Sequence, residues 1–472
     1  MKGAAALLIA TALAGCSMDP HYARPEAPVP AAFPTGGAYP SASAPLPTVT
    51  YRDIFHDPRL QSLIERALVN NRDLRIAAAN ILVAREQYRI QRAQQLPQLA
   101  ATGQASSTGS TGSSTANRAS FQLGATVPSF EIDLFGRLAS LTRAEQQRYF
   151  ATEATARATR LTLVGDIADA WLSYATDASL LKIARNTATA AQSSVELTRK
   201  RLDGGIAPRT DLRQAEQILD TAQANVAQQT TALAQDINAL QLLTGAPVDP
   251  KLLPQSIEEA VPTIAALPAG LDSSVLLRRP DVAAAEYQLR AANADIGAAR
   301  AALFPKITLT SFLGFGSTAL AGLFSGGFDW SAAGNAGYTI FNAGAGRANV
   351  RQSQAQRNVE LATYEKAIQT AFRDVADALA RRGTIAEQVR AVTAQTAAAA
   401  DTANLADQRY RGGIDPYLSS LDAQRSYYAA QQTLATTRLV EGSNLVALYR
   451  ALGGDMLVDV TPTGPVGATP AP

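Results

Sequence analysis

Apolar residues recur at steps of three and four through the second half of the chain. This spacing places them on one face of an α-helix. The positions are Leu361, Tyr364, Ile368, Phe372, Val375 and Leu379. No proline interrupts residues 347–412, so the pattern predicts a helix of about 66 residues, roughly 100 Å long. Residues 137–203 predict a matching helix. A compact globule of this chain length has a radius of gyration of about 23 Å, so such helices must project.

A glycine pair and a second helical stretch follow each long helix. The pairs are Gly204-Gly205 and Gly412-Gly413. Glycine tolerates the positive φ with which many helices end. Each half of the chain is therefore predicted to form an antiparallel helical hairpin with a glycine turn at its tip.

A period of two residues precedes each long helix. Phe121, Leu123 and Val127 alternate with polar or small residues, which is the pattern of a strand with one apolar face. Two strands are predicted at about 98–131 and two more at about 305–341, each pair joined by a loop of turn residues. Alternating segments of this kind are typical of a membrane β-barrel.

One stretch of the second strand pair also fits a transmembrane helix. Residues 307–328 carry no charge and are long enough to span a bilayer. Their glycine, serine and threonine content argues against a helix. The corresponding stretch at 98–126 of the first half is also too polar to be a membrane-spanning helix. We therefore prefer the strand interpretation.

The two halves of the sequence match each other at a constant offset of 208 residues. Residues 201–208 match residues 409–416, and the pair Asp166/Asp169 matches Asp374/Asp377. Several separated matches in one register indicate an internal duplication. The predicted fold class is mainly α, with duplicated long helical hairpins and four membrane strands.

Four strands are too few to close a barrel, because the smallest bacterial barrels have about eight. The open strand edges must therefore pair with other chains. A homotrimer, which supplies about twelve strands and twelve helices, is the economical closure. A dimer with eight strands is the alternative, but its barrel would be filled by side chains.

Composition excludes several classes of function. The 42 basic and 40 acidic residues give a net charge of +2, so no strong field exists to attract nucleic acid. One cysteine rules out an internal disulfide or a thiolate metal cluster, and two histidines leave little for zinc or acid-base chemistry. No phosphate loop or HExxH motif is present. We predict that the protein is not an enzyme and has no metal or cofactor.

The only cysteine lies at the end of a secretory signal. Met1-Lys2 precedes an apolar stretch at 4–14, which is too short to span a bilayer. The following Leu13-Ala14-Gly15-Cys16 resembles a bacterial lipobox, in which the cysteine is acylated and becomes the first mature residue. An ordinary signal peptide beside a chance cysteine is the alternative. A covalent lipid, such as palmitate, is thus expected on Cys16.

The lipobox, the doubled helix and strand layout, and the sequence of residues 417–425 after the second turn resemble the TolC family of outer-membrane efflux channels. The closer resemblance is to the lipoprotein branch typified by OprM and NodT. It implies a homotrimeric channel in the outer membrane that continues as a tunnel through the periplasm. Its implied partners are a periplasmic adaptor and an inner-membrane pump of the resistance-nodulation-division (RND) type.

The duplication and the resemblance together divide the chain. The expected segments are a signal peptide at 1–15, a lipid-anchored tether and equatorial wrap at 16–55, a first repeat at 56–245, an equatorial linker at 246–279, a second repeat at 280–453 and a tail at 454–472.

The resemblance also implies a periplasmic gate on the last helix, just beyond its turn. The matching positions are Leu418, Asp422 and Arg425, whose spacing of four and three residues puts them on one helix face. In a trimer each would form a ring of three, and an aspartate ring favours cations. An ordinary Asp422–Arg425 pair on a solvated face is the alternative. The first half has Thr210, Gln214 and Gln217 at the equivalent positions.

The glycine turns are the expected docking sites for the adaptor. Asp415 and Arg411 lie at the same tip and are expected in a salt-bridge network that locks the gate, although Asp415 could instead cap the following helix.

Three other functions remain alternatives at this stage. A type I secretion conduit and a metal-efflux channel would share the architecture, although the chain has no methionine-rich or histidine-rich tract. A lipid-anchored periplasmic coiled-coil scaffold would need the helices but not the strands.

Overall fold

A computed structural model describes residues 17–40, 50–108, 118–265, 272–325 and 327–467. The predicted signal peptide and Cys16 lie outside the described residues, as does the whole loop at 109–117 between the first two strands.

Two similar series of elements make up the chain. The first series comprises α1 (Tyr51–Ile54), α2 (Pro58–Asn70), α3 (Arg72–Ala93), β1 (Ala100–Thr108), β2 (Arg118–Glu131), α4 (Arg137–Asp203) and α5 (Arg209–Thr244). The second comprises α6 (Ile257–Ala260), α7 (Pro280–Ala301), β3 (Lys306–Ser317), β4 (Phe328–Gly337), α8 (Ala345–Arg411), α9 (Tyr417–Ala451) and a short hairpin of β5 (Val460–Thr461) and β6 (Gly464–Pro465). Short 3₁₀ turns lie at Pro250–Leu252, Val261–Thr263, Ser273–Arg278 and Leu320–Gly322.

The duplication is visible in the backbone. Helices α4 and α8 each have 67 residues and begin 208 residues apart. Both follow a glycine in the left-handed region, Gly136 at φ 73° and Gly344 at φ 84°. The turns at the hairpin tips also correspond, with φ 74° at Gly205 and φ 75° at Gly413.

The prediction of positive φ is wrong for the first glycine of each turn. Gly204 and Gly412 have right-handed φ values of −80° and −74°. They close the last helical turn, and only the residue after them must reverse the chain direction in the left-handed region.

The four long strands form one antiparallel sheet in the order β1-β2-β3-β4. The central pairing joins the two halves of the chain, with Leu123 opposite Phe315 and Ala125 opposite Leu313. The described residues of the 307–328 stretch therefore include most of β3, a 3₁₀ turn and the start of β4. Among the described helices, none has an apolar stretch long enough to cross a membrane.

The sheet and the helices next to it have open edges on both sides. Among the described strands, β1 pairs only with β2, and β4 pairs only with β3. The adjoining helices contact one another in the order α3-α4-α7-α8. Helix α3 has no buried residue and leaves Ile76, Leu82 and Ile90 between 59% and 65% exposed. This apolar surface requires a covering partner.

The main apolar core surrounds the middle of the long helices. The N-terminal segment enters it through Phe33, whose ring stacks on Phe372 of α8 at 4.9 Å. The segment between the halves contributes Ile257, and its Leu252 carbonyl accepts a 3.1 Å hydrogen bond from the Trp171 indole. The tether and the linker are therefore packed parts of the fold rather than loose connections.

Candidate gate at the hairpin tips

The two hairpins meet near their tips around a small apolar cluster. We call this the tip cluster; it consists of Val195, Leu212, Ala215, Tyr410, Tyr417 and Leu421. The centres of the Tyr410 and Tyr417 rings are 5.2 Å apart. Since these residues come from α4, α5, α8 and α9, the cluster joins both hairpins.

Helix α9 buries one face in the tip cluster and exposes the other. Tyr417 and Leu421 are each 1% exposed, whereas Leu418 is 53% exposed. Asp422 and Arg425 are exposed on the same side as Leu418. The structure therefore brings the three predicted gate residues together on one free face.

Within the described part of the chain, Asp422 and Arg425 make no hydrogen bond or ion pair. The alternative of an Asp422–Arg425 pair on a solvated face is therefore not seen. Both charged groups remain available to a group outside the chain.

The expected network between Asp415 and Arg411 is not formed. Asp415 instead accepts hydrogen bonds of 2.6 and 2.9 Å from Arg409, and these lower its carboxyl pKa. Arg411 pairs with Asp407, one helical turn earlier, at 2.7 Å. Asp415 does not cap α9 either, because the N-cap position is occupied by Pro416. Asp415 pairs with Arg409 rather than with Arg411 because the Arg409 guanidinium can donate two hydrogen bonds to the same carboxylate across the tight turn.

A cross-hairpin contact at the tips involves Arg201, Tyr410 and Thr198, which the sequence did not mark as gate residues. The Arg201 guanidinium of α4 lies 4.4 Å from the centre of the Tyr410 ring. Its Nη2 also donates a 3.0 Å hydrogen bond to the Arg411 carbonyl. The Tyr410 hydroxyl lies 3.1 Å from the Thr198 hydroxyl, in a buried position.

Comparison of the two halves explains why the equivalent arginines differ. Arg201 and Arg409 occupy matching positions, but the position of Asp415 is Ala207 in the first half. Arg409 therefore pairs with the carboxylate of Asp415 in its own turn. The position equivalent to Asp415 carries no carboxylate in the first half, and Arg201 instead contacts α8. The mismatched positions Leu202/Tyr410 and Ala207/Asp415 were the available sequence signal.

The ends of the turns present apolar side chains to solvent. Ile206 is 77% exposed and Ile414 is 66% exposed, beside Gly205 and Gly413. In each turn, no other group lies within 4 Å of the position that a Cβ on the second glycine would occupy. The predicted docking tips are thus open, partly apolar surfaces.

The start of the described chain is fixed beside the strands. Asp19 accepts hydrogen bonds of 2.7 Å from both Ser140 and Arg143, near the first turn of α4. Arg143 also donates a 3.0 Å hydrogen bond to the Ser17 hydroxyl. Gly297 of α7 leaves the space that Asp19 occupies. The residue after Cys16 is therefore held where α4 leaves the sheet.

These features define a subunit of an outer-membrane channel, with a strand-bearing end and two long helical hairpins. The profile described as "Outer membrane efflux protein" matches residues 63–246 and 271–454, once in each half of the chain. The chain belongs to this family. The predicted resemblance, the fold class of trimeric tunnel and barrel channels, and the function of an outer-membrane efflux channel are confirmed.

Similar proteins cover nearly the whole chain. SrpC of Pseudomonas putida, a solvent efflux pump outer membrane protein, is 43% identical over 456 residues, which cover 94% of this chain and 96% of SrpC. The outer membrane protein OprJ of Pseudomonas aeruginosa is 40% identical, with 96% of this chain and 95% of OprJ covered. The open-state crystal structure of the MtrE outer membrane channel of Neisseria gonorrhoeae has a TM-score of 0.83 and 36% identity, covering 93% of this chain and 99% of MtrE.

Proposed function

We propose that three copies of this chain form a passive outer-membrane conduit for drugs or other small toxic compounds, which an adaptor and an RND-type pump deliver. The open edges support the trimer, because β1 and β4 can pair between neighbouring copies. Helix α3 can likewise cover its exposed apolar face against α8 of the next copy. The name of SrpC supports small apolar solutes as one substrate class.

The exposed face of α9 is the basis for proposing a gate at this end of the channel. Leu418, Asp422 and Arg425 lie together on it, and the two charged groups form no hydrogen bond or ion pair within the described residues, while Tyr417 and Leu421 are anchored in the tip cluster. Around a threefold axis these residues form stacked rings. A leucine ring narrows and dries a pore, and a carboxylate ring attracts cations and repels anions.

The exposed turns are the proposed docking sites for the adaptor. Gly205 and Gly413 adopt the positive φ that reverses the chain direction at each turn. The neighbouring Ile206 and Ile414 expose apolar surface that a partner helix can contact. Energy for transport comes from the pump, because the conduit only has to open and close.

A lipid on Cys16 completes the proposal. The hydrogen bonds from Arg143 to Ser17 and Asp19 hold the chain beside the end of the sheet, where a lipid on the preceding residue would enter the membrane. Cys16→Ala should abolish incorporation of labelled palmitate, while the conservative Ser17→Ala should retain it. Labelling of Cys16→Ala would reject the assignment.

Single-channel recording in planar bilayers tests the gate. Removal of a ring of three carboxylates in Asp422→Ala should raise conductance and weaken the preference for cations. Gln214→Ala is the matched control, because it changes the equivalent position of the first hairpin. Unchanged currents in Asp422→Ala would remove this residue from the gate. A rise in both variants would indicate general loosening of the tips.

A type I secretion conduit or a metal-efflux channel would use the same architecture. Export assays in cells lacking the native channel, with a solvent, a metal salt and a secreted protein as three separate cargoes, distinguish these functions. Restored solvent tolerance alone is the result that we expect.

A further inference from the structure

A cavity of about 510 Å³ lies between the two hairpins, beside the tip cluster. All four long helices α4, α5, α8 and α9 line it. Its walls carry many amide and hydroxyl groups, among them Asn186, Ser194, Asn225, Asn404, Gln424 and Tyr428. Binding sites for small molecules commonly have volumes of roughly 300–1,000 Å³. The cavity therefore has the size and the hydrogen-bonding groups of a ligand site.

The cavity spans the seam between the hairpins. On the side away from the tips, the Asn225 amide of α5 donates a 3.0 Å hydrogen bond to the Tyr428 hydroxyl of α9. Toward the tips it is bordered by Arg411 of α8, close to the tip cluster. A molecule in the cavity would touch both hairpins at once and would affect the distance between them.

The charges of the lining favour an anion. Asp407 and Arg411 both line the cavity and neutralise each other through their 2.7 Å pair. Arg425 also lines it and, within the described residues, has no hydrogen bond or ion pair. The positive charge of Arg425 is thus uncompensated within the cavity lining. Tyr427 and Tyr428 line the same cavity.

We propose that this cavity binds a small aromatic molecule with one anionic group, such as an aromatic carboxylate. The ring lies beside Tyr427 and Tyr428, and the carboxylate accepts a charge-assisted hydrogen bond from Arg425. The amide and hydroxyl groups of the other walls satisfy the remaining polar atoms. Nothing in the proposed conduit function requires such a site.

The cavity and the proposed gate share one residue. Arg425 is the third member of the exposed stripe on α9 as well as a cavity-lining residue. A bound anion draws its guanidinium toward the seam and away from the pore axis, so occupancy should change conductance. This consequence rests on the proposed gate, whereas binding itself does not.

Binding is tested on the full-length trimer in nanodiscs by ¹⁹F NMR titration with 4-(trifluoromethyl)benzoate. Its uncharged analogue 4-(trifluoromethyl)benzamide is titrated in parallel. Arg425→Gln should weaken benzoate binding about tenfold or more, because it removes a charged hydrogen-bond donor. The same substitution should leave benzamide binding nearly unchanged.

Two matched variants on α4 locate the site. Ser194 lines the cavity, so Ser194→Phe should fill it and abolish binding of both probes. Thr189 is exposed on the same helix outside the cavity, so Thr189→Phe should bind both normally. Equal binding by the two variants, or no saturable binding of benzoate at millimolar concentration, would overturn the proposal. So would equal weakening of both probes by Arg425→Gln.

Bilayer recording with the benzoate separates the site from the gate. A conductance change in wild type that is absent in Ser194→Phe supports both. Cavity-dependent binding without a conductance change leaves the site established and contradicts the role of Arg425 in the proposed gate.

Discussion

The guanidinium of Arg201 lies over the ring of Tyr410, at 4.4 Å from its centre, and thereby joins the first helical hairpin to the second. The same side chain donates to the Arg411 carbonyl at 3.0 Å. The equivalent Arg409 is held within its own turn by Asp415. The two hairpins are therefore linked by one arginine of the duplicated pair and not by the other.

Arg201→Ala should loosen the second hairpin and raise the open probability of the channel. The cation–π contact alone contributes about 0.5–2 kcal/mol, and the hydrogen bond to the carbonyl adds about 1 kcal/mol. Single-channel recording measures the result. Arg199→Ala, which removes only a 3.2 Å pair with Glu216 in the same hairpin, is the control. Equal open probability in wild type and Arg201→Ala would contradict a linking role.

Much of this fold followed from the sequence because its signals are periodic and repeated. The 208-residue offset correctly related α4 to α8, and the alternation around Leu123 correctly identified a strand. The contacts at the tips could not be predicted from the sequence, because they depend on which side chains lie near each arginine in the folded structure. Arg201 and Arg409 have matching sequence positions, yet Asp415 alone decides that only one of them crosses to the other hairpin.

Glu286→Gln should destabilise the region where residues 22–24 pack against α7. Glu286 is fully buried and binds Arg24 at 2.9 Å and the Tyr22 hydroxyl at 3.0 Å. Loss of its charge leaves the Arg24 guanidinium without a counterion, at a cost of about 3 kcal/mol. The apparent unfolding temperature should fall clearly. Glu65→Gln, in an exposed pair with Arg52, should leave the apparent unfolding temperature nearly unchanged. Equal stability of the two variants would disprove the argument.

Gly297→Ala should release the N-terminal segment. A Cβ at this position would lie 1.8 Å from the Asp19 carboxylate, so Asp19 would have to leave Ser140 and Arg143. Hydrogen exchange of residues 17–24 should become faster. Gly334→Ala is the control, because no other group lies within 4 Å of its added Cβ. Unchanged protection of residues 17–24 in Gly297→Ala would show that the contact is dispensable.

The contribution of Asp236 to stability should fall as the pH rises from about 4 to about 7. Burial and the neighbouring carboxyl of Asp177 raise the pKa of Asp236 to about 7, above an unfolded value of about 3.9. The folded state therefore holds the proton more tightly, and this contribution is complete below the unfolded pKa and lost as the pH passes the folded pKa.

Thermal unfolding measured across this pH range checks the prediction. Asp236→Asn should flatten the pH dependence, because its side chain is neutral throughout. Asp220→Asn, an exposed position on the same helix, should retain the wild-type slope. A steep slope that persists in Asp236→Asn would assign the effect to other groups.

Cross-linking at position 422 tests the closed gate most directly. The chain has one native cysteine, Cys16, so Asp422→Cys introduces a defined thiol, and Gln214→Cys provides the matched control on the first hairpin. If the α9 residues meet around the threefold axis, mild oxidation of Asp422→Cys should yield covalent dimers and low conductance, and reduction should restore the current. Gln214→Cys should stay monomeric on a denaturing gel. Oxidised Asp422→Cys that remains monomeric, or that conducts equally before and after reduction, would contradict closure by this helix.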